Sequence, residues 1–151
     1  MARIENVILT NMCMIYDDDK VLVLDRLDPK WPGITFPGGH IELKESFVDS
    51  TIREVYEETG LKVSNLKLCG IKQWTQKDDS YRYIVLFFKT NTFTGELKSS
   101  KEGKVFWINK KDIKDYIVAD GFMDMLEVFE NDNLSENYWW LEDGIWKVVN
   151  K

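Results

Sequence analysis

The sequence predicts an α/β protein in which a mixed β-sheet is covered by helices on both faces. Apolar, β-branched runs typical of strands both precede and follow a first helical segment, and further helical segments come late in the chain. The 151 residues suit one domain with a sizeable core, and 44% hydrophobic residues are typical of a globular protein. We therefore expect a single domain over residues 1–151.

The first two strands are predicted at 7–16 and 21–26, where apolar runs flank the acidic turn DDDK and form a hairpin. The next segment, LDPKWPGITFPGGH, holds all three prolines and three glycines, so it must be a loop with a short strand at 34–36. A helix is predicted at about 46–59. Ser46 and Asp49 resemble a helix-capping pair, and Gly60 ends the helix.

The remaining elements follow from the same patterns. Single strands are predicted at 63–76, at 81–90, which is almost entirely apolar and therefore central, and at 104–108. Helices are predicted at 110–116 and 121–132. The tryptophan-rich segment NYWWLEDGIWKVVN, at about 137–150, predicts a terminal hairpin that either closes the sheet or forms the interface of a homodimer.

The composition restricts the partners. A net charge of −6 disfavours a nucleic-acid polymer, but it allows an anionic small molecule whose charge is neutralised by a divalent cation. The two cysteines, Cys13 and Cys69, lie in apolar runs and are expected to be buried thiols. No signal peptide or uncharged run of roughly 18 residues is present, so we expect a cytoplasmic protein with no membrane partner.

The predicted first helix carries three glutamates, Glu54, Glu57 and Glu58, at i, i+3 and i+4, which share one face. The apolar stripe is predicted roughly opposite and consists of Val48, Ile52, Val55 and Thr59. Clustered carboxylates repel one another and favour a hard cation such as Mg²⁺ or Mn²⁺, which commonly also binds substrate phosphates. Charge spacing alone leaves a solvated helix surface as the other interpretation.

The segment from Gly39 to Leu61 resembles the Nudix box, with every defining position filled. It reads Gly39, five residues, Glu45, seven residues, Arg53-Glu54-Val55, one residue, Glu57-Glu58, one residue, Gly60-Leu61. The chain is thereby identified as a member of the Nudix family, and the resemblance extends from the opening hairpin to the helix near 122–130. The terminal hairpin does not match the family pattern.

The resemblance implies an enzyme that hydrolyses a nucleoside diphosphate linked to another group, on an α/β/α sandwich whose box forms a loop, a helix and a loop. The metal ligands implied within the box are the carbonyl of Gly38 and the carboxylates of Glu54, Glu57 and Glu58, with Glu54 alternatively the base that orients water. Glu45 and Arg53 are expected to form a bidentate ion pair that holds the helix against the preceding loop.

Weaker matches outside the box resemble the MutT-like pyrophosphohydrolases; they are Arg26, FPGG at 36–39, Arg82 and KEG at 101–103. This resemblance implies Glu102 as a further metal ligand or base. It also implies Mg²⁺-dependent hydrolysis of a nucleoside triphosphate, such as oxidised 8-oxo-dGTP, to nucleoside monophosphate and pyrophosphate. Arg26 and Arg82 are predicted to contact substrate, with ordinary surface charges as the alternative.

The base pocket is less defined by the sequence. Phe36, Trp74 and Tyr81 are candidates to stack on a purine, with a core position as the alternative for each. Asp120 either reads a purine edge or caps a helix. His40 is expected to be an exposed loop residue, with a phosphate contact as the alternative. Two other functions remain open: hydrolysis of another derivative such as ADP-ribose or a nucleotide sugar, and non-catalytic nucleotide binding.

Overall fold

The computed structural model describes residues 2–151. Its strands are β1 (Val7–Asp17), β2 (Lys20–Arg26), β3 (Gly33–Thr35), β4 (Leu61–Ser64), β5 (Lys67–Thr75), β6 (Arg82–Thr90), β7 (Thr92–Gly95), β8 (Gly103–Asn109), β9 (Glu136–Glu142) and β10 (Ile145–Asn150). The helices are α1 (Phe47–Thr59) and α2 (Phe122–Glu130), and a 3₁₀ helix spans Lys110–Asp115. No helix among residues 2–151 combines the length and apolar content needed to cross a bilayer.

The main sheet is mixed, as predicted. Its strands pair in the order β10-β9-β5-β6-β1-β2-β3, and β8 pairs with β2. The β1–β6 and β5–β9 pairs are parallel, whereas the other pairs are antiparallel. Strands β4 and β7 form a separate two-stranded sheet.

The two faces of the main sheet pack against different helices. Met12 and Met14 of β1 belong to the core that includes the apolar face of α2, whereas Cys13 and Ile15 belong to the core that includes Val55 of α1. This alternation follows from the two-residue period of a strand. The predicted α/β class, with helices on both faces of the sheet, is therefore confirmed.

A glycine-containing loop replaces β2 as the neighbour of β1. The two strands pair at Tyr16↔Val21 and Asp17↔Lys20, next to their turn. Farther along β1, the backbone N–H of Cys13 donates to the carbonyl of Pro37 (2.8 Å), and that of Asn11 donates to the carbonyl of Gly39 (2.9 Å). The loop that precedes α1 is therefore fixed along the free edge of β1.

Three details of the sequence prediction are wrong. The segment 63–76 does not form one strand, because Asn65 adopts a left-handed backbone conformation (φ 53°) and separates β4 from β5. The predicted helix at 110–116 is a 3₁₀ helix. Val48, placed in the apolar stripe of α1, is 42% exposed, since the helix is buried mainly near Val55 and Thr59.

The terminal segment forms a hairpin of β9 and β10 that adds two strands to the sheet edge beyond β5. It is also attached to α2, since the side-chain amide of Asn150 donates to the carbonyl of Asp124 (3.0 Å). The homodimer stays a prediction.

Candidate active site

Helix α1 has well-defined ends that fix the positions of its glutamates. Ser46 is the N-cap, and its side-chain oxygen accepts a hydrogen bond from the backbone N–H of Asp49 (2.9 Å). Gly60 adopts a left-handed conformation (φ 78°) and donates to the carbonyl of Tyr56. The glutamates at 54, 57 and 58 consequently lie in the last two turns of the helix.

Asn11 of β1 connects the glycine loop to α1. Its side chain is buried, donates to the hydroxyl of Ser50 (2.9 Å) and accepts from the backbone N–H of Gly39 (3.1 Å). Sequence reasoning missed this residue. The available signal was a single amide side chain inside an otherwise apolar strand, which must find hydrogen-bond partners when it is buried.

Glu58 is the most buried carboxylate of the site. It is 6% exposed and accepts a hydrogen bond from the backbone N–H of Gly38 (3.1 Å). Burial raises the pKa of Glu58 to about 8, and the nearby charges of Glu54 and Glu102 raise it further against the opposing effect of the Gly38 hydrogen bond. The expected placement of Glu58 on a solvent-facing side of the helix is therefore wrong, because this side chain points into the junction of helix and loop.

Glu54 occupies the space beside Gly39. A Cβ atom built on Gly39 would lie 2.7 Å from Oε1 of Glu54, so a side chain at position 39 is sterically incompatible with the observed carboxylate. Burial raises the pKa of Glu54, although the Arg53 guanidinium opposes this shift. The glycine loop and the helix thus bring two partly desolvated carboxylates, those of Glu54 and Glu58, close together.

Arg53 holds the acidic groups around it in a network. It forms a bidentate pair with Glu45 (Nε–Oε2 2.7 Å, NH2–Oε1 2.9 Å), and NH1 donates to Glu54 (2.9 Å) and Glu57 (3.4 Å). NH2 also donates to the carbonyl of His40 (3.1 Å), whose side chain is exposed. The Glu45 hydrogen bond raises the pKa of Arg53, and the Arg53 guanidinium lowers the pKa of Glu45.

Glu102 lies in the loop before β8. Its carbonyl accepts from the backbone N–H of Leu27 (3.1 Å), and its own N–H donates to the hydroxyl of Ser100 (3.2 Å). The side chains of Glu57 and Glu102 are exposed, yet the charge of Glu102 acts on Glu58. Glu102 is therefore near enough to Glu58 for its charge to act on that carboxylate.

The donor set fits a hard divalent cation. All the side-chain donors are carboxylate oxygens, and the charges of Glu54 and Glu102 raise the pKa of Glu58, so a divalent cation bound to these oxygens would favour its ionised form. Within residues 2–151, no three acidic, histidine or cysteine side chains converge closely enough to form a complete ligand set, since Arg53 draws Glu54 and Glu57 to itself. Mg²⁺ commonly takes one or two carboxylates and completes its shell with water and phosphate oxygens, which this geometry allows.

Arg26 lies between these carboxylates and a group of aromatic residues. Its guanidinium stands 5.1 Å from the ring of Trp31 and contacts Asp28 (3.3 Å), while its Nε is buried without a hydrogen-bond partner among residues 2–151. Its charge lowers the pKa of both Glu58 and Tyr83 against larger opposing effects of burial. Arg26 is therefore close to the acidic site and to the sheet face beyond it.

Arg82 is already paired within the protein. Nε donates to Glu5 (2.8 Å) and NH1 donates to Gln73 (2.9 Å). Tyr81 is similarly engaged, since its hydroxyl accepts from the amide of Gln76 (2.9 Å). The structure favours the alternative interpretation of Arg82, a charge that pairs on the surface of the sheet.

Phe36 is a core residue. It is 2% exposed and packs edge-on against Phe122 (4.9 Å between ring centroids) and Phe129 (5.1 Å), so its ring offers no free face to a substrate base. The capping alternative for Asp120 is also wrong, because the N-cap of α2 is Gly121 and no side-chain oxygen caps this helix. Asp120 is exposed, and its carbonyl accepts from Nε1 of Trp31 (2.9 Å).

Sequence reasoning named Trp74 as a candidate but missed its neighbours Tyr83, Lys72 and Trp139 on the sheet face near Asp120. Trp74 stacks on Tyr83 (4.4 Å between centroids, 10° between planes), and Lys72 lies near both Trp74 and Trp139. Lys72 and Trp74 are two residues apart in one strand, so the strand period already indicated that they share a face. Trp139 could not be placed from the sequence, because its position depends on which strand the terminal hairpin joins.

Comparisons with known proteins agree with this geometry. The NUDIX domain family matches residues 9–127. The uncharacterised Nudix hydrolase YvcI of Bacillus subtilis is 35% identical over 113 residues, which cover 72% of this chain and 70% of that protein. The ADP-ribose pyrophosphatase of Methanocaldococcus jannaschii is 31% identical over 117 residues, which cover 69% of each chain.

A solved structure shows the same fold. The mutator MutT protein of Bacillus halodurans superposes with a TM-score of 0.76 and 27% identity, over 93% of this chain and 97% of that chain. The family match includes the loop and helix that carry Glu54 and Glu58. The chain belongs to the NUDIX domain family and is a Nudix hydrolase, which cleaves phosphoanhydride bonds of nucleotide-derived substrates.

Proposed function

We propose that this Nudix hydrolase converts nucleoside triphosphates to nucleoside monophosphates and pyrophosphate with Mg²⁺, or with Mn²⁺ in its place. Oxidised nucleotides such as 8-oxo-dGTP are included in the proposed substrate class. The observation that carries the proposal is the position of Arg26, whose charge acts both on the buried carboxylate of Glu58 and on the aromatic face at Tyr83. A nucleotide that extends from Glu58 past Arg26 to Tyr83 would have its phosphates near the glutamates of α1 and its base near the aromatic residues. The likeness to a MutT protein supports the same assignment.

The proposed ligands of the cation are the Gly38 carbonyl and Glu58, with Glu57 and Glu102 reaching it from the exposed side. When bound, Mg²⁺ neutralises phosphate charge and lowers the pKa of a coordinated water. The protein contributes oxygen donors that are already held in place by the Gly38 N–H and by Arg53. This preorganisation avoids the cost of gathering like charges during the reaction.

Glu54 is the proposed general base. Its carboxylate is partly buried and its pKa is raised, which brings its basicity closer to neutral pH than that of an exposed glutamate. Arg53 orients this carboxylate through a 2.9 Å hydrogen bond to Oε1 and leaves Oε2 available to accept a proton from water. Arg26 is proposed to bind a phosphate oxygen.

A second candidate function is hydrolysis of ADP-ribose or a nucleotide sugar. The observation in its favour is the 31% identity to the ADP-ribose pyrophosphatase of M. jannaschii. Both functions use the same carboxylates, so the two candidates differ in the group attached to the diphosphate.

Phosphorus NMR of products separates the candidates. The enzyme is incubated with Mg²⁺ and with separate nucleoside triphosphates, ADP-ribose and nucleotide sugars, alongside Glu58→Gln and the exposed control Glu96→Gln. Pyrophosphate release that is lost in Glu58→Gln and retained in Glu96→Gln is the expected result. Release of AMP and a phosphosugar from ADP-ribose, with no pyrophosphate from any triphosphate, would overturn the proposal in favour of the second candidate.

A further inference from the structure

Lys72 of β5 has a half-buried ammonium group with no ordinary partner. Its Nζ lies 4.9 Å from the ring centroid of Trp139 and 5.4 Å from that of Trp74. It forms no hydrogen bond or ion pair with any side chain or backbone group of residues 2–151, although the carboxylates of Asp120 and Asp124 are near enough to act on its charge. An ammonium has three donors, and the cost of leaving them unfilled increases with burial.

Burial also favours the neutral form of this group. It lowers the pKa of Lys72 to about 8, and the two aspartates only partly oppose the shift. Packing against two tryptophans is favourable through cation–π contacts, but it fills none of the three donors. A ligand that carries a hydrogen-bond acceptor would fill the donors that the protein leaves open.

The terminal hairpin determines this environment. Trp139 of β9 lies over Gly121, where a Cβ atom would come within 2.8 Å of the indole and 3.7 Å of the Lys72 Nζ. The indole N–H donates to the side chain of Asn137 (2.7 Å), which fixes the ring orientation. Residues 136–150 lie outside residues 9–127, which match the family model, so the family match does not account for this part of the Lys72 environment.

A series of contacts and charge effects leads from Glu58, past Arg26 and the neighbouring aromatic residues, to Lys72. The term aromatic cluster refers to four residues: Trp31, Trp74, Tyr83 and Trp139. Trp31 contacts the Arg26 guanidinium and donates to Asp120, and Tyr83 stacks on Trp74, which contacts Lys72. The charge of Arg26 lowers the pKa of Glu58, and its guanidinium contacts Trp31. The aromatic cluster therefore lies next to the glutamates of α1.

We propose that Lys72, held by Trp139 of the terminal hairpin, determines base specificity by donating a hydrogen bond to the carbonyl oxygen of a 6-oxopurine. This inference rests on the proposed function above. An ammonium can only donate, so it matches the O6 acceptor of guanine, 8-oxoguanine or hypoxanthine and is mismatched with the amino group of adenine. The exposed carboxylate of Asp120 accepts, and it therefore matches the ring N–H that a 6-oxopurine presents next to O6.

ITP and ATP provide a direct test, because they differ at position 6 of the purine and at the adjoining ring nitrogen. We expect the wild-type enzyme to have the higher kcat/KM for ITP. Lys72→Met should lower kcat/KM for ITP by about 10- to 100-fold, the effect of a hydrogen bond to a charged group, and change that for ATP by less than about threefold. Lys72→Arg should retain part of the preference, and Lys67→Met, an exposed lysine of the same strand, should match the wild type.

A binding measurement separates this inference from the proposed catalytic function. Equilibrium binding of IMP and AMP, followed by tryptophan fluorescence, requires no hydrolysis. Preference for IMP that disappears in Lys72→Met supports the inference even when triphosphates are not hydrolysed. A wild-type protein that does not prefer IMP, including one that binds neither nucleotide at millimolar concentration, overturns it.

Two variants test the remaining steps. Trp139→Leu should reduce the ITP preference because it removes one side of the Lys72 environment; an unchanged ITP:ATP ratio would overturn the role of the hairpin. Equal losses for ITP and ATP in Lys72→Met, with a melting temperature as high as that of the wild type, would show a non-selective role and likewise overturn the inference.

Discussion

Arg53 and Glu45 form a bidentate ion pair that joins the middle of α1 to the loop before it, with Nε 2.7 Å from Oε2 and NH2 2.9 Å from Oε1. The NH1 group of the same guanidinium donates to Glu54 and Glu57. The positions of Glu54, the proposed base, and Glu57, a proposed metal ligand, therefore depend on Arg53. The ion pair of Arg53 with Glu45 is not itself proposed to contact the phosphate.

Arg53→Lys should lower kcat by roughly 100-fold and the Tm by a few degrees, because lysine cannot donate in a planar fork to Glu45 while also holding Glu54. Steady-state kinetics and thermal unfolding measure the two effects. Glu45→Gln should produce a similar loss, and the double variant should be no worse than either single variant. Additive losses would show that the two residues act independently.

Gly39→Ala and Gly38→Ala should separate catalysis from folding. A Cβ at position 39 overlaps the flexible end of Glu54, so this variant should lose most activity while its Tm changes little. A Cβ at position 38 meets the backbone of β1, 2.8 Å from Cα of Met12, and should lower the Tm markedly as well. Normal activity in Gly39→Ala would contradict the proposed position of the Glu54 carboxylate.

Mg²⁺ should stabilise the wild-type protein by several degrees in a thermal unfolding experiment, since a cation bound to the folded state relieves the repulsion at Glu58. Glu58→Gln should unfold at a higher Tm than the wild type in metal-free buffer near neutral pH, because the amide still accepts from Gly38 and, unlike a buried glutamate with a pKa of about 8, takes up no proton on folding. The Tm of Glu58→Gln should rise less than that of the wild type when Mg²⁺ is added. Glu96→Gln, outside the site, should behave as the wild type, and an equal Mg²⁺ effect in all three proteins would argue against Glu58 as a ligand.

The fold and the location of Glu54, Glu57 and Glu58 on one helix could be predicted, because both depend on patterns formed by residues that are close together in the sequence. Strand alternation, the Ser46 cap and the Gly60 stop are each encoded within a few residues. The spacing of Glu54, Glu57 and Glu58 follows directly from the helix.

What could not be predicted depends on distant neighbours. Glu58 is buried because a loop twenty residues earlier along the chain donates to it, and helical spacing carries no information about that contact. Trp139 lies beside Lys72 because β9 pairs in parallel with β5, a choice that either strand alone does not specify. The same limit explains the error at Phe36, whose burial is set by two rings of α2.

Phe36→Ala should destabilise the protein by about 3–5 kcal/mol, as expected for an aromatic side chain deleted from a packed core. Phe36 is 2% exposed, whereas Phe47, at the first turn of α1, is 47% exposed and provides a matched control. Phe47→Ala should cost less than about 1 kcal/mol in urea denaturation. A small loss of stability in Phe36→Ala combined with a raised KM would instead restore a substrate-binding role for this ring.

Lys72 should make the stability of the protein depend on pH above neutrality. The folded state holds its proton with a pKa of about 8, against an ordinary value of 10.5. Between these pH values the unfolded chain binds more protons, so the stability of the wild type should rise with pH. Below pH 8 the buried charge should cost at most about 3 kcal/mol, reduced by the cation–π contacts with Trp74 and Trp139.

The comparison with Lys72→Met isolates this effect from other titrations. The charged groups that face Lys72 are Asp120 and Asp124, and burial raises the pKa of the nearby Tyr83 phenol, so it ionises above its ordinary range. Lys72→Met should therefore be more stable than the wild type near neutral pH, by urea denaturation, and this advantage should shrink as the pH approaches about 10. Lys67→Met should show no such trend. A constant difference between Lys72→Met and the wild type across the range would mean that the Lys72 ammonium is solvated in the folded protein.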